Sequence, residues 1–327
     1  MKVCIVGAGA IGGWLGTRLA STGLARVSAL ARGATLAALR DHGWRLRLGD
    51  ALLRAPAVAS ERPADLGPQD LVVIAVKGPA LAGLATSLAP MIGPHTVLLP
   101  AMNGVPWWFG QGVAALGEAP LAAVDPGGHI AAALPLTQVI GCVVHASCFT
   151  AEPGLVQHKM GNGLIVGEPA GGASERVSAL AALLKHAGFD VTASSNVRYD
   201  IWYKLWGNLT MNPLSAITGA TIDKLLIDPE VRALCSAAML EASAVGAHIG
   251  CTISQTPEDR HAITARLGAF KSSMQQDVEA GRAIELDSIV GAVHELGQRL
   301  GVATPHISAL LGITRVFAQV RGLYPLG

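Results

Sequence analysis

Apolar residues follow two patterns along this chain, and the change comes near residue 197. Before it they gather in short runs bounded by Gly, Pro and polar clusters. Residues 2–6, 25–30, 70–77 and 96–99 are such runs, and they predict buried strands. The run 70–77 is apolar from Leu71 to Val76, as a central parallel strand covered on both faces requires. Between these runs, residues 14–20 and 35–43 predict helices, and 45–59 an irregular or antiparallel strand segment. Residues 110–138 are rich in Ala, Gly and Pro with little period, which predicts a loop or weak helix. Residues 139–148 and 163–166 predict strands around a turn at 158–162. A helix over 174–187, ended by Gly188, and a last strand over 189–192 close this half.

From Arg198 onward the helical period takes over, with helices expected at 199–218, 229–249, 257–279, 285–300 and 305–319. Pro213 should kink or end the first of them. Pro257 and Pro305 sit where Pro is tolerated, in first turns behind Thr256 and Thr304 as caps. The expected fold is α/β: an N-terminal domain built on a parallel sheet over 1–196, then an all-α domain over 197–327.

The helix 199–218 breaks its own pattern. Its residues are mostly apolar, including Ile201, Trp202, Leu205, Trp206, Leu209 and Met211, yet Lys204, Asn208 and Asn212 recur every fourth position. That spacing lines one amine and two amides along a single face. Such a stripe on a largely apolar helix needs polar partners, because buried unpaired polar groups cost free energy. A small ligand carrying a carboxylate and a carbonyl would supply them. Alternatively Lys204 reaches solvent, or pairs with Asp200 four residues before it.

Composition narrows the class. Hydrophobic residues make up 51% of 327 and charged residues 14%, so a large core can form. The formal net charge is +1 with no basic run, which argues against nucleic-acid or anionic-membrane partners. Five cysteines without a CxxC argue against disulfides and structural zinc, and point to the cytoplasm. No metal site is expected. The uncharged stretch after Lys77 is broken by Pro79, Pro90, Pro94, Pro100 and Pro106, so it cannot be one transmembrane helix.

The first strand runs into Gly7-Ala8-Gly9-Ala10-Ile11-Gly12, a GxGxxG between strand and helix. Gly7 permits the turn, Gly9 lets backbone approach a pyrophosphate, and Gly12 lets helix pack on strand, so the domain over 1–196 is expected to be a Rossmann-type dinucleotide-binding domain. The second strand ends without the acidic residue that would bind a ribose hydroxyl. Arg32 stands there instead and can pair with a 2′-phosphate, which favours NADP(H) over NAD(H). Lys77 and Asn103 close two further strands at the carboxyl edge, where open α/β sheets bind ligands. Trp107, Trp108 and Phe109 form an aromatic cluster that either walls a pocket or packs a core.

These features together resemble the ketopantoate reductases (2-dehydropantoate 2-reductases). The motifs are the GxGxxG turn, Lys77, Asn103-Gly104, Lys204-x3-Asn208-x3-Asn212-Pro213, and Ser272-Ser273-Met274 followed by Glu285-Leu286-Asp287. The resemblance implies NADPH-dependent reduction of a small 2-oxo acid, ketopantoate in pantothenate biosynthesis. It makes Lys204 the proton donor and Asn208, Asn212 and Ser273 substrate ligands. Glu285 would contact substrate hydroxyl and the cofactor region, while Lys77, Asn103 and backbone near Ser147 lie at the cofactor. Apolar surroundings would lower the pKa of Lys204, with Glu285 opposing. The sequence departs from the family pattern at Thr221-Ile222, where a further Asn is usual, and in a longer 110–138 segment. A reductase of another 2-oxo acid and a non-catalytic NADP-binding sensor stay open as alternatives, as do monomer and homodimer.

Overall fold

The structure, a computed structural model, describes residues 1–326. By contact it falls into two compact units. One comprises residues 1–102 and 129–200, the other residues 103–128 and the described residues from 201 onward. The excursion 103–128, which follows a strand of the first unit, packs with the helices.

In the N-terminal unit the elements are β1 (Lys2–Val6), α1 (Ala10–Ser21), β2 (Arg26–Leu30), α2 (Gly33–His42), β3 (Trp44–Leu48), β4 (Ala51–Ala55) and β5 (Val58–Ser60). They continue with α3 (Pro63–Leu66), β6 (Gln69–Ile74), α4 (Gly78–Ala82), β7 (Ile92–Pro100), α5 (His129–Ala133), β8 (Gly141–Glu152), β9 (Leu155–Gly167), α6 (Glu175–His186) and β10 (Asp190–Ser194). Five parallel strands form one sheet in the order β5-β2-β1-β6-β7. A second, mixed sheet runs β10-β9-β3-β4, with β8 antiparallel to β9.

Helix α1 fills the space between these sheets, and its glycines make that possible. A Cβ on Gly12 would lie 2.0 Å from the Gly7 carbonyl oxygen beside β1. One on Gly13 would meet Val156 of β9 at 2.5 Å, and one on Gly16 the Trp44 ring of β3 at 2.5 Å. Trp14 and Trp44 are fully buried there, Trp14 edge-on to Phe189 at 4.8 Å. Close approach of this kind builds native packing density from a Gly-rich helix of low amphipathicity.

Two expectations are corrected here. The segment 158–162 is not a turn: β9 runs through it, and the hairpin turns at Pro153-Gly154, where Gly154 has φ +71°. Gly161, at φ +75°, instead absorbs a register shift opposite His145 and Ser147. Of the two alternatives for residues 45–59, the antiparallel strand is the one found, as the pair β3–β4, while β5 at the end of the segment runs parallel to β2. Strand β7 begins at Ile92, four residues before the expected start, because Thr96 Oγ1 bonds the backbone of Gln69 and Gly93.

The second unit carries α7 (Val197–Thr218) from Ile201, α8 (Ile222–Ile227), α9 (Pro229–His248), α10 (Pro257–Ala265), α11 (Ser273–Glu279), a π turn at Asp287–Gly291 leading into α12 (Ala292–Leu300), and α13 (Pro305–Gln319). Pro213 does not end α7, which continues to Thr218. Beyond the proline, Ser215 and Thr218 hydroxyls donate to the Asn212 and Leu214 carbonyls. The single helix expected over 257–279 is two, broken around Gly268 at φ +61°. Thr256 caps α10 with a full capping box. Thr304 makes no side-chain cap; Glu241 of α9 accepts from the His306 and Ile307 N–H groups instead, both at 3.0 Å. Among the described residues no helix is long and apolar enough to cross a membrane, and no cluster of three or more metal-ligating side chains occurs.

Candidate active site

The N-terminal unit presents a glycine turn with open space before helix α1. Chain direction reverses at Gly7, φ +91°, where a Cβ would strike Val76 at 2.5 Å. Gly7 N–H donates to the Leu30 carbonyl, pinning the turn to β2. Gly9 is the N-cap of α1 and has no side chain to occupy the first-turn N–H groups, and no acidic residue follows in that turn. A Cβ on exposed Gly9 would meet nothing within 4 Å, so the space before the helix is open. Open space, unclaimed amides of Ala10, Ile11 and Gly12, and the positive end of the helix dipole fit a dinucleotide pyrophosphate. Ala8 is buried beneath the turn.

Three further residues expected at the cofactor lie in the same unit. Arg32 is exposed at the N-cap of α2, just past β2, and its side chain makes no hydrogen bond or ion pair among the described residues. Lys77 stands half-buried between β6 and α4. Ser147 is half-buried in β8, opposite Met160 at the irregular stretch of the hairpin.

The second unit holds the polar stripe. Lys204 Nζ donates to Asn103 Oδ1 at 2.8 Å. Asp200, the alternative partner, accepts from Ser194 Oγ. Lys204 and Asn208 are half-buried, whereas Asn212, one turn further, is 5% exposed and its Nδ2 has no partner. The stripe therefore begins at an ammonium and ends at a buried amide with donors to spare. An unmatched buried donor costs on the order of 1–3 kcal/mol, relieved by a ligand acceptor.

Asn103 owes its position to a tight turn. Gly104 adopts φ +78°, and a Cβ there would lie 2.5 Å from the Ser288 carbonyl oxygen. That same oxygen accepts from Val105 N–H at 2.7 Å. The Asn103-Gly104 turn is thus locked onto the π turn before α12, three residues beyond half-buried Glu285. Burial pushes the Asp287 carboxyl up, and Tyr324 donates to it at 2.6 Å. Burial, with that carboxylate alongside, pushes the Tyr324 phenol to about 12. Lys204, Asn103 and the Glu285 segment accordingly belong to one packed body.

Ser273 is exposed as the first residue of α11, while its neighbour Ser272 is buried. Ser272 caps α11 and shares a 2.6 Å bond with Ser215, whose hydroxyl also contacts the Asn212 carbonyl. This hydroxyl link from the end of the stripe to α11 was not foreseen. The Ser272-x-x-Gln275 spacing, which resembles a capping box, was its only signal. Trp107, Trp108 and Ile222 are each at most 2% exposed, so they pack the core and wall no open pocket. Phe109 stacks on Trp202 of α7 at 5.9 Å.

The model of the family "Ketopantoate reductase PanE/ApbA" matches residues 3–171, and the model of its C-terminal part matches residues 196–318. The chain belongs to the ketopantoate reductases. It is 42% identical to a 2-dehydropantoate 2-reductase from Mesorhizobium japonicum, over 99% of this chain and 100% of that one. A solved structure from Ralstonia solanacearum, assigned to the ketopantoate reductases, superposes with a TM-score of 0.94 at 52% identity, covering 98% of this chain and 99% of that one. A D-mandelate dehydrogenase complex with NADH reaches a TM-score of 0.83 at 22% identity over 99% and 100% of the two chains, a likeness of fold alone. The protein is a 2-dehydropantoate 2-reductase-like oxidoreductase of an NAD(P)H-dependent family.

Proposed function

We propose that the chain reduces 2-dehydropantoate (ketopantoate) to pantoate with NADPH. The observation that carries this reading is the stripe on α7, with the Lys204 ammonium held by Asn103 at 2.8 Å and the buried Asn212 amide two turns on. NADPH, when bound, supplies the hydride. As negative charge grows on the carbonyl oxygen, the Lys204 ammonium stabilises it and gives up a proton from Nζ. Asn208, Asn212 and Ser273 orient the carboxylate and hydroxyl of the substrate. Glu285 lies two residues before the π turn that locks Asn103, and it sets the charge balance around the amine. Gly7 to Gly12 hold the pyrophosphate, Arg32 the 2′-phosphate, and Lys77 and the backbone at Ser147 the nicotinamide side.

Exposed Arg32 with no acidic partner supports NADPH over NADH. Five free cysteines and the full-length likeness to a biosynthetic reductase support a cytoplasmic protein. A homodimer agrees with the description of a ketopantoate reductase from Staphylococcus aureus as dimeric. The test is a panel of 2-oxo acids offered with NADPH and with NADH, turnover being followed by loss of cofactor absorbance. Ketopantoate should give the highest kcat/KM, with NADPH preferred, and Lys204→Ala should lower kcat by about 10²–10⁴-fold. A better small 2-oxo acid would replace ketopantoate, and NADPH binding without any turnover would make the protein a sensor.

A further inference from the structure

Helix α10 brings a second cation to α7. The Arg260 guanidinium lies over the Tyr203 ring at 4.8 Å and against Gly207, where a Cβ would sit 2.8 Å from Arg260 Nε. Tyr203 and Gly207 immediately precede Lys204 and Asn208, so on the helical wheel the guanidinium borders the polar stripe. Gly207 is the place where α7 gives up a side chain, and the room it leaves is taken by this charge.

The charge is not neutralised. Arg260 Nε is sealed without a partner, and no carboxylate pairs with the guanidinium among the described residues. Its two acidic neighbours on α10 are engaged elsewhere, Glu258 with Arg232 and Asp259 in the Thr256 capping box. The aromatic face orients the planar group without satisfying its donors. Arg presents two parallel N–H groups that match a carboxylate, and a half-buried guanidinium without an anion is poised to accept one.

We propose that Arg260 binds the carboxylate of this protein's acidic ligand, which under the reductase reading above is the 2-oxo acid substrate. Lys204 is then left to the ketone oxygen, while Asn208, Asn212 and Ser273 keep their part in orienting the carboxylate, now charge-paired with Arg260, and the hydroxyl. Gly207 is needed because any side chain there would displace the anchor.

The test measures binding of oxalate, a small dicarboxylate that cannot be reduced by hydride, by calorimetry on the full chain with NADPH present. Arg260→Met should weaken oxalate roughly 10- to 100-fold, as expected for losing a charge-assisted pair. Arg260→Lys should weaken it less, and NADPH affinity should hold in both. In turnover, Arg260→Met should raise KM for a 2-oxo acid with kcat little changed, yet leave KM for the corresponding 2-oxo amide at the wild-type value. Unchanged oxalate affinity in Arg260→Met, absence of oxalate binding to the wild type, or equal losses on acid and amide would each overturn the proposal. Oxalate binding that depends on Arg260, in a protein that reduces no 2-oxo acid, would uphold the anion site and remove the reductase reading instead. Melting curves and the Arg260→Lys variant separate loss of the anchor from loss of the fold.

Discussion

Replacing Asn103 by Ala tests the arrangement around Lys204 most directly. The substitution removes the Oδ1 acceptor 2.8 Å from Nζ and leaves the Gly104 turn and its bond to Ser288 in place. Hydrogen bonds to charged groups contribute about 1.5–3 kcal/mol. If that energy holds the ammonium in the geometry the transition state needs, its loss appears in kcat at about tenfold per 1.4 kcal/mol, hence about 10- to 150-fold. NADPH affinity should be unaltered. The assay is steady-state turnover of ketopantoate, with kcat and KM separated, in wild type, Asn103→Ala, Lys204→Ala and the double variant. Asn103 acting through Lys204 predicts that its removal costs little once Lys204 is gone, a coupling close to the whole single-variant effect. Independent losses that multiply in the double variant, or a rise in KM at constant kcat, would show that Asn103 binds substrate or cofactor rather than positioning the acid.

The remaining predictions concern cofactor choice, packing and pH. Arg32→Ala should raise KM for NADPH by about tenfold or more while changing KM for NADH little; an equal rise for both would place the 2′-phosphate elsewhere. Gly16→Ala should lower the melting temperature, although Ala is the better helix former by ~1 kcal/mol, because the added Cβ lands 2.5 Å from the buried Trp44 ring. A variant that melts at or above the wild-type temperature would mean that Trp44 yields freely. The Tyr324 phenol is raised above its ordinary value to about 12, so its contribution to stability is complete below pH ~10 and lost as pH rises towards 12. Melting temperature should therefore fall across that window, and Tyr324→Phe, whatever its stability at neutral pH, should flatten the fall.

The sequence was most legible where a residue's own stereochemistry decides. The Gly7 turn, the apolar run before Lys77 and the fourfold spacing of Lys204, Asn208 and Asn212 could all be read without tertiary knowledge. What escaped depended on partners distant in the chain. The mixed second sheet needs β3 to find β9 more than a hundred residues away, which no local period encodes. Pro213 was expected to interrupt α7, but burial of its surroundings and the hydroxyls of Ser215 and Thr218 carry the helix past it. At Ser272-Ser273 the sequence offered two adjacent hydroxyls, and only packing distinguishes the buried cap from the exposed neighbour.

The same distinction explains residues 103–128. By sequence they extend the carboxyl edge of β7, and Asn103 reads as a strand-end residue of the nucleotide-binding half. By packing they belong with the helices. Glu295 of α12 accepts from the Ala122 and Ala123 N–H groups at 2.9 and 2.7 Å, and Arg299, which pairs with Glu295, donates to the Ala119 and Pro120 carbonyls. A single carboxylate and guanidinium thus satisfy four backbone groups of a segment that has almost no regular structure of its own. Held at that end by α12 and at the other by the Gly104–Ser288 contact, the excursion delivers Asn103 to Lys204 within one packed unit. Lys204 and the residue that holds it thus share one unit at 2.8 Å, and under the proposed role of Lys204 as proton donor that contact preorganises the ammonium before its substrate arrives.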